Sequence, residues 1–240
     1  VLVSKKVKNQ MTGKSSYFQS VYFDGDEKHF TSADLDVSID GLYIDSTFLE
    51  KPLQIEYFDQ FKLVAESTDL FGMDSIRLLR VEHIEASSFD SAFQILNLDI
   101  DITNLDTLGS SLTINSPKIF FEGLDFRDLW LSQNLHATSI LLMKPSIDGS
   151  IKSKLKSDGN PLINNYQIKN FNLTESKVNL DLQDQSIHIQ KISTLLNEIH
   201  ADRDSFNLGR FIDFWQTTSI NLEDLKYANK SQQIEIKESK

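Results

Sequence analysis

Carboxylates offer the first chance of chemistry. Asp34, Asp36 and Asp40 stand at even intervals, and Asp99 and Asp101 repeat the two-residue step. In an extended chain that step puts side chains on one sheet face. Two such strands, aligned, could bind calcium or present an acid/base pair for hydrolysis. The same aspartates alternate with apolar residues, however, and the face opposite an apolar stripe meets water. A solvated face is the plainer reading. Asp24-Gly-Asp26-Glu27 has too few oxygen ligands in register for a calcium loop. The histidines, His29, His83, His136, His188 and His200, show no zinc-helix spacing, and His83 and His188 fall within alternating strands. No nucleophile elbow, Walker loop or dinucleotide-binding glycine pattern occurs. With no cysteine, a disulfide scaffold, thiolate zinc and cysteine catalysis are excluded. The expectation is a protein that is not an enzyme and carries no cofactor or metal.

The elements that would hold these residues have period two. Leu35, Val37 and Ile39 alternate with Asp36, Ser38 and Asp40; Leu53, Ile55 and Tyr57 with Gln54 and Glu56. Leu96, Leu98, Ile100 and Ile102 alternate with Asn97, Asp99 and Asp101; Val178, Leu180 and Leu182 with Asn179 and Asp181. Ile187 and Ile189 flank His188, and Ile234 and Ile236 flank Glu235. Antiparallel sheets with one wet face read this way. Helical spacing is confined to Ile192–His200, to Phe206–Gln216 with Asn207 as cap, and to one turn over Phe126–Leu131. The first of these is equally readable as strand. Tyr17, Phe18, Tyr22, Phe23 and Phe30 cluster near the N-terminus, as strand core or as a surface for sugars or acyl chains.

The 240 residues, 16 of them Phe and 9 Gly, suit one large β domain or two small ones. The net charge of −11 disfavours nucleic acid as a partner. Short lysine runs at Lys5, Lys6, Lys8 and at Lys152, Lys154, Lys156 read as solvated faces, with lipid head groups as the sharper option. No run reaches transmembrane length, and the chain opens at Val1 inside a polar stretch, which suggests a fragment whose targeting segment lies upstream. Sequons at Asn172 and Asn229 matter only in a glycosylating compartment. A turn is expected at Asp24-Gly-Asp26, and a loop over 157–165 separates a β-rich region, 1–156, from a β-rich continuation of the same extended sheet, 166–240. An approximate repeat relates Leu35–Ile39 to Leu98–Ile102 and Ser75–Ala86 to Thr138–Gly149, and a stacked, degenerate β architecture would follow.

The phrase Lys118-Ile-Phe-Phe-Glu-Gly-Leu-Asp-Phe-Arg-Asp-Leu-Trp130, followed by Asn134 to Asp148 with its Lys144-Pro-Ser-Ile147, resembles a unit of AsmA-like and TamB-like envelope proteins of Gram-negative bacteria, of the Bacteroidetes type. Asp69-Leu-Phe to Ala86 looks like a second copy that lacks the proline. The resemblance covers about a third of the chain and rests on hydrophobic patterns, not catalytic signatures. It implies a curled β-sheet groove with an apolar lining, no catalytic residues, and a role in moving phospholipid or maintaining the outer membrane. It also implies a periplasmic location and an inner-membrane anchor N-terminal to the residues seen here.

The expected fold is therefore mainly β, a curled antiparallel groove, or else a sandwich or solenoid, with one or two short helices. Leu98, Ile100, Ile102, Leu180 and Leu182 are the expected lipid-facing residues, and phospholipid or another acyl lipid is the expected partner. Acyl chains entering an open trough would gain about 0.8 kcal/mol per buried methylene. The competing reading is an adhesion or scaffold module, a sandwich or solenoid without a lipid ligand, which the same alternation supports.

Overall fold

The computed structural model describes residues 15–24, 29–40, 59–71, 77–103, 109–152, 163–202, 217–229 and 232–239. In chain order these form β1 (Ser15–Asp24), β2 (His29–Asp40), β3 (Gln60–Phe71), β4 (Arg77–Ser87), β5 (Ala92–Thr103) and β6 (Ser111–Glu122). Then come α1 (Phe126–Ser132), β7 (Asn134–Met143), β8 (Ser146–Ile151), β9 (Asn165–Leu182), β10 (Gln185–Asp202), β11 (Thr217–Asn229) and β12 (Gln233–Ser239). All twelve strands join one sheet in sequence order. β7 and β8 share one position: both pair antiparallel with β6 and parallel with β9, and every other pairing is antiparallel. Pro145 separates them because it has no N–H to give a ladder. The row is kept by Lys144 N–H donating to Thr174 O and Lys177 N–H to Pro145 O, each at 2.8 Å.

The sheet is creased across its strands. Ser67 (φ 48°), Asn97 (50°), Lys144 (45°) and Glu175 (45°) all have left-handed backbone, and the registers put them at one level of β3, β5, the β7–β8 junction and β9. β10 meets this level with a bulge between Ile189 and Thr194, and β11 carries Asp224 (50°). All of these left-handed residues sit in strands that run in the same direction. A left-handed residue following an extended one keeps its side chain on its predecessor's side. Two consecutive side chains then point outward, and the inward set slips by one along the strand.

The slip separates a buried row from an exposed one. Ala33, Ser67, Glu82, Asn97, Pro117, Lys144 and Glu175 are all exposed. One residue along, Ser32, Thr68, Val81, Leu98, Ser116 and Ser176 are all buried. Small hydroxyl residues suit the inside of the crease because they fill little space and bond backbone groups that the ladder leaves. Ser32 Oγ lies 2.9 Å from Asp34 O and 3.0 Å from Glu66 O, and the Thr68 hydroxyl donates to Ser32 Oγ. Ser116 Oγ lies 3.2 Å from both Lys118 O and Met143 O. On the outside, Asn97 donates to Glu82, and Lys144 pairs with Glu175 at 2.9 Å. Each left-handed non-glycine residue costs about 1–2 kcal/mol, and hydrogen bonds of about 1 kcal/mol each help to offset it.

A second, shorter crease follows six residues away. It passes through Gly123 (φ 63°) at the end of β6, Thr138, Lys169 and Glu198 (52°). Beyond it the chain of β6 turns into α1. Asp125 caps the helix by accepting from Asp128 N–H at 2.9 Å, and Gln133 closes it in left-handed backbone (56°). Phe126 and Leu129 lay the helix on a core of Leu124, Ala137, Ile140 and Ile168.

The expected turn over Phe126–Leu131 is thus a short helix, and the β-rich continuation after residue 165 belongs to the same sheet. Three readings change. Ile192–His200 is part of β10, not a helix. The slip at Glu198 puts Leu196 and Ile199 on one face at a three-residue interval, which imitates helical spacing, while Leu195 points the other way. Leu96 leaves the series Leu98, Ile100, Ile102, because Asn97 holds it on the polar face. The approximate repeat, an offset of 63 residues from Leu35 to Leu98, joins β2 to β5 and β4 to β7, three positions apart, where antiparallel strands run in opposite directions. What recurs from position to position is the creased strand itself. The Leu53–Tyr57 strand, the turn at 25–26, the loop over 157–162, the Phe206–Gln216 helix and five of the six clustered lysines lie outside the described residues.

Candidate functional site, an apolar sheet face

Below the main crease the apolar side chains form continuous rows. Ile102 stands opposite Leu112, Leu112 opposite Gly149, and Gly149 opposite Leu180. Ile187, Tyr227 and Ile234 carry this row to the sheet margin. Ile100 begins a parallel row through Ile114, Ile147 and Val178. Leu182 lies beside Ile151, two residues along from Leu180. Leu98, Ile100, Ile102, Leu180 and Leu182 therefore share one face. Gly149 lets this row close up: a Cβ there would stand 3.1 Å from Leu112 Cδ1, 3.3 Å from Leu180 Cδ2 and 2.9 Å from Ser111 O.

Leu98 is buried in the crease at 9% exposure, whereas Ile100, Ile102, Leu180 and Leu182 are half-buried. No second sheet stacks on them among the described residues. At β12 the same face is open, with Ile234 44% and Ile236 37% exposed. Above the crease the face continues through Phe93, Phe121, Ile140 and Phe171, where α1 covers part of it. Phe126 of the helix meets Phe61 of β3 edge to face, centroids 5.1 Å apart.

A cavity of about 420 Å³ opens at the strand tips beside α1. Its walls include Leu124 and Phe126 from the apolar core, and Asp59, Ser91, Asp125 and Arg127 from the loops and the helix start. Sequence reasoning missed this feature. The available signal was the Asp125 cap, which fixes where a strand becomes a helix and thus where Arg127 points away from the core.

The opposite face carries the charges. Asp34 and Asp36 lie on it above the crease, Asp99 and Asp101 below it. Asp99 stands across from Arg80 and Asn115, and Asp101 from Thr113. Asp36 and Asp101 are three strand positions apart, a lateral offset of about 14 Å at the usual spacing, and on opposite sides of the crease, so these two do not form an acid/base pair. His83 bonds Glu66 at 2.7 Å, His136 meets Asp128 at 3.1 Å, and His188 bonds Asn179. Each is a partnered strand-face histidine. Lys62 meets Glu85 at 2.6 Å; this bond holds the Glu85 carboxyl below its usual range and raises the Lys62 ammonium above its own. The bond from Lys144 likewise lowers Glu175, and the bond that Lys191 donates to Glu223 raises Lys191. Asp128 is lowered by hydrogen bonds from Ser132 and Asn134 and by the nearby His136. Among the described residues no three His, Cys, Asp or Glu converge as metal ligands, and no helix is long and apolar enough to cross a membrane. The pairs Phe18 with Leu35 and Phe23 with Phe30 place the N-terminal aromatics in the β1–β2 ladder.

No family model, no curated protein and no solved structure matches the chain.

Proposed function

We propose that this chain is a non-enzymatic, AsmA-like segment of a periplasmic envelope protein that lends an apolar β-groove to phospholipid transfer or outer-membrane maintenance. The observation that carries the reading is one sheet whose apolar rows run from β5 to the β12 margin without a second sheet over them among the described residues. An apolar surface of this extent and continuity is characteristic of a binding face. Acyl chains laid along it would exclude the water that otherwise wets Ile100, Ile102, Leu180 and Leu182. An adhesion or scaffold module would close this face into a two-layer core. The crease fits the groove: most residues buried at its fold line are small, and the larger aliphatic rows below it stay partly accessible.

The test is native mass spectrometry with lipid extraction on protein purified from a Gram-negative host. Co-purified phospholipid is expected. It should be lost when Ile100, Ile102 and Leu180 are changed together to Asp in a chain that keeps its β-sheet circular dichroism. A lipid-free, folded wild type would move the assignment to the scaffold module.

A further inference from the structure

The cavity at the strand tips deepens this reading, on which it rests. An amphiphile lying on the apolar face needs a polar place for its head where that face ends. The cavity is such a place: Leu124 and Phe126 belong both to its walls and to the apolar core or the side chains packed on it. Its volume of about 420 Å³ lies within the range of about 300–1,000 Å³ usual for small-molecule sites. The charged residues of its lining are mixed: Arg127 stands beside Asp59 and Asp125. An anionic head without an ammonium would meet two negative charges for one positive. A zwitterionic head can set its phosphate toward Arg127, which is suited to bidentate phosphate contact, and its ammonium toward Asp59 and Asp125. The backbone supports the opening: Gly123 turns at φ 63°, and Leu124 N–H donates to Ser91 O at 2.7 Å, which ties the β4–β5 turn to the start of the helix.

We infer that this cavity is a headgroup subsite selective for zwitterionic aminoalkyl phosphate lipids, with Arg127 binding the phosphate and Asp59 the ammonium. Asp125 is left out of the test because it also caps α1.

The experiment loads the purified chain from mixed micelles holding equal amounts of phosphatidylethanolamine, phosphatidylglycerol and diacylglycerol of the same acyl chains. Bound lipid is then counted by native mass spectrometry. Phosphatidylethanolamine should be retained several-fold over both others. Arg127→Glu and Asp59→Lys should each erase that preference, so that phosphatidylethanolamine is retained no better than the other two lipids. Equal retention of all three lipids, or a preference that survives both substitutions, overturns the headgroup assignment and leaves the groove standing. No bound lipid of any kind overturns the groove reading and this inference with it. Soluble glycerophosphoethanolamine added at matching concentration should displace little lipid. If it displaces most of it, the cavity takes a small zwitterion in its own right, and the lipid assignment is overturned.

Discussion

The sheet carries the same alternating pattern under α1 and at its β12 margin, yet the two regions differ in what covers them. Ile140 under the helix is 4% exposed, and Ile236 at the margin is 37%. Both are inward-facing residues of the one sheet, Ile140 between an antiparallel and a parallel neighbour and Ile236 on the edge strand. The difference teaches that alternation settles which face a side chain takes, while coverage is settled by elements that alternation does not describe. Here that element is a seven-residue helix placed by one cap and two apolar residues.

The sharpest way to break this comparison is to truncate one residue in each region. Ile140→Ala should lower stability by about 2–5 kcal/mol, the range for a buried aliphatic side chain. Ile236→Ala should stay within about 0.5 kcal/mol. Urea unfolding of the two variants beside wild type measures both, and equal losses would mean that the margin is as well covered as the core.

Next in size are the crease positions. Gly123→Ala forces a Cβ to within 2.2 Å of Thr138 Oγ1 at a φ of 63°, and should cost about 1–3 kcal/mol. Ser67→Gly should act in the other direction. It relieves a left-handed serine and should gain up to about 1 kcal/mol after the greater freedom of glycine in the unfolded chain is counted. Glu82→Gly lies at the same level on β4, where φ is not positive, and should instead lose about 1 kcal/mol. Thermal melts of the pair separate a backbone effect from a side-chain one.

The smallest expected effect belongs to the Lys62–Glu85 pair. Glu85 titrates lower in the folded chain, so its contribution is present above the unfolded carboxylate range and fades as pH falls through the folded value. Lys62 titrates higher, so its contribution is present below the unfolded lysine value and fades as pH rises through the folded one. Both side chains are a third or more exposed, which limits the pair to a few tenths of a kcal/mol, about 0.2–1 at most. Lys62→Gln should therefore lower the urea midpoint slightly at pH 7 and by less at pH 3.

Much of this fold was legible in the residues. Val178, Leu180 and Leu182, or Leu98, Ile100 and Ile102, announce their strand and their shared face. Phe126 through Leu131 announce a helical turn. The creases were not legible, because among Ser67, Asn97, Lys144 and Glu175 only Asn97 is of a type that favours left-handed backbone, and each stands alone inside a strand pattern. Their trace is a change of parity. Ile95 and Leu98 are three apart and share a face, and so are Leu196 and Ile199. Read without the slip, such pairs suggest a helix or assign Leu96 to the wrong side. The cavity was hidden for a similar reason, since Asp59 and Arg127 are 68 positions apart in the chain and line one cavity only because β3 begins and β6 ends at the same edge.

The central claim is that lipid reaches the apolar face and not the polar one. The chain has no cysteine, so a single cysteine carrying a photoreactive label can be placed at Leu180 or at its neighbour Asn179, which points to the opposite face. After lipid loading and illumination, mass spectrometry should find a phospholipid adduct at position 180 and none at 179. Equal labelling at both positions, or none at 180 in a folded chain, would contradict the groove.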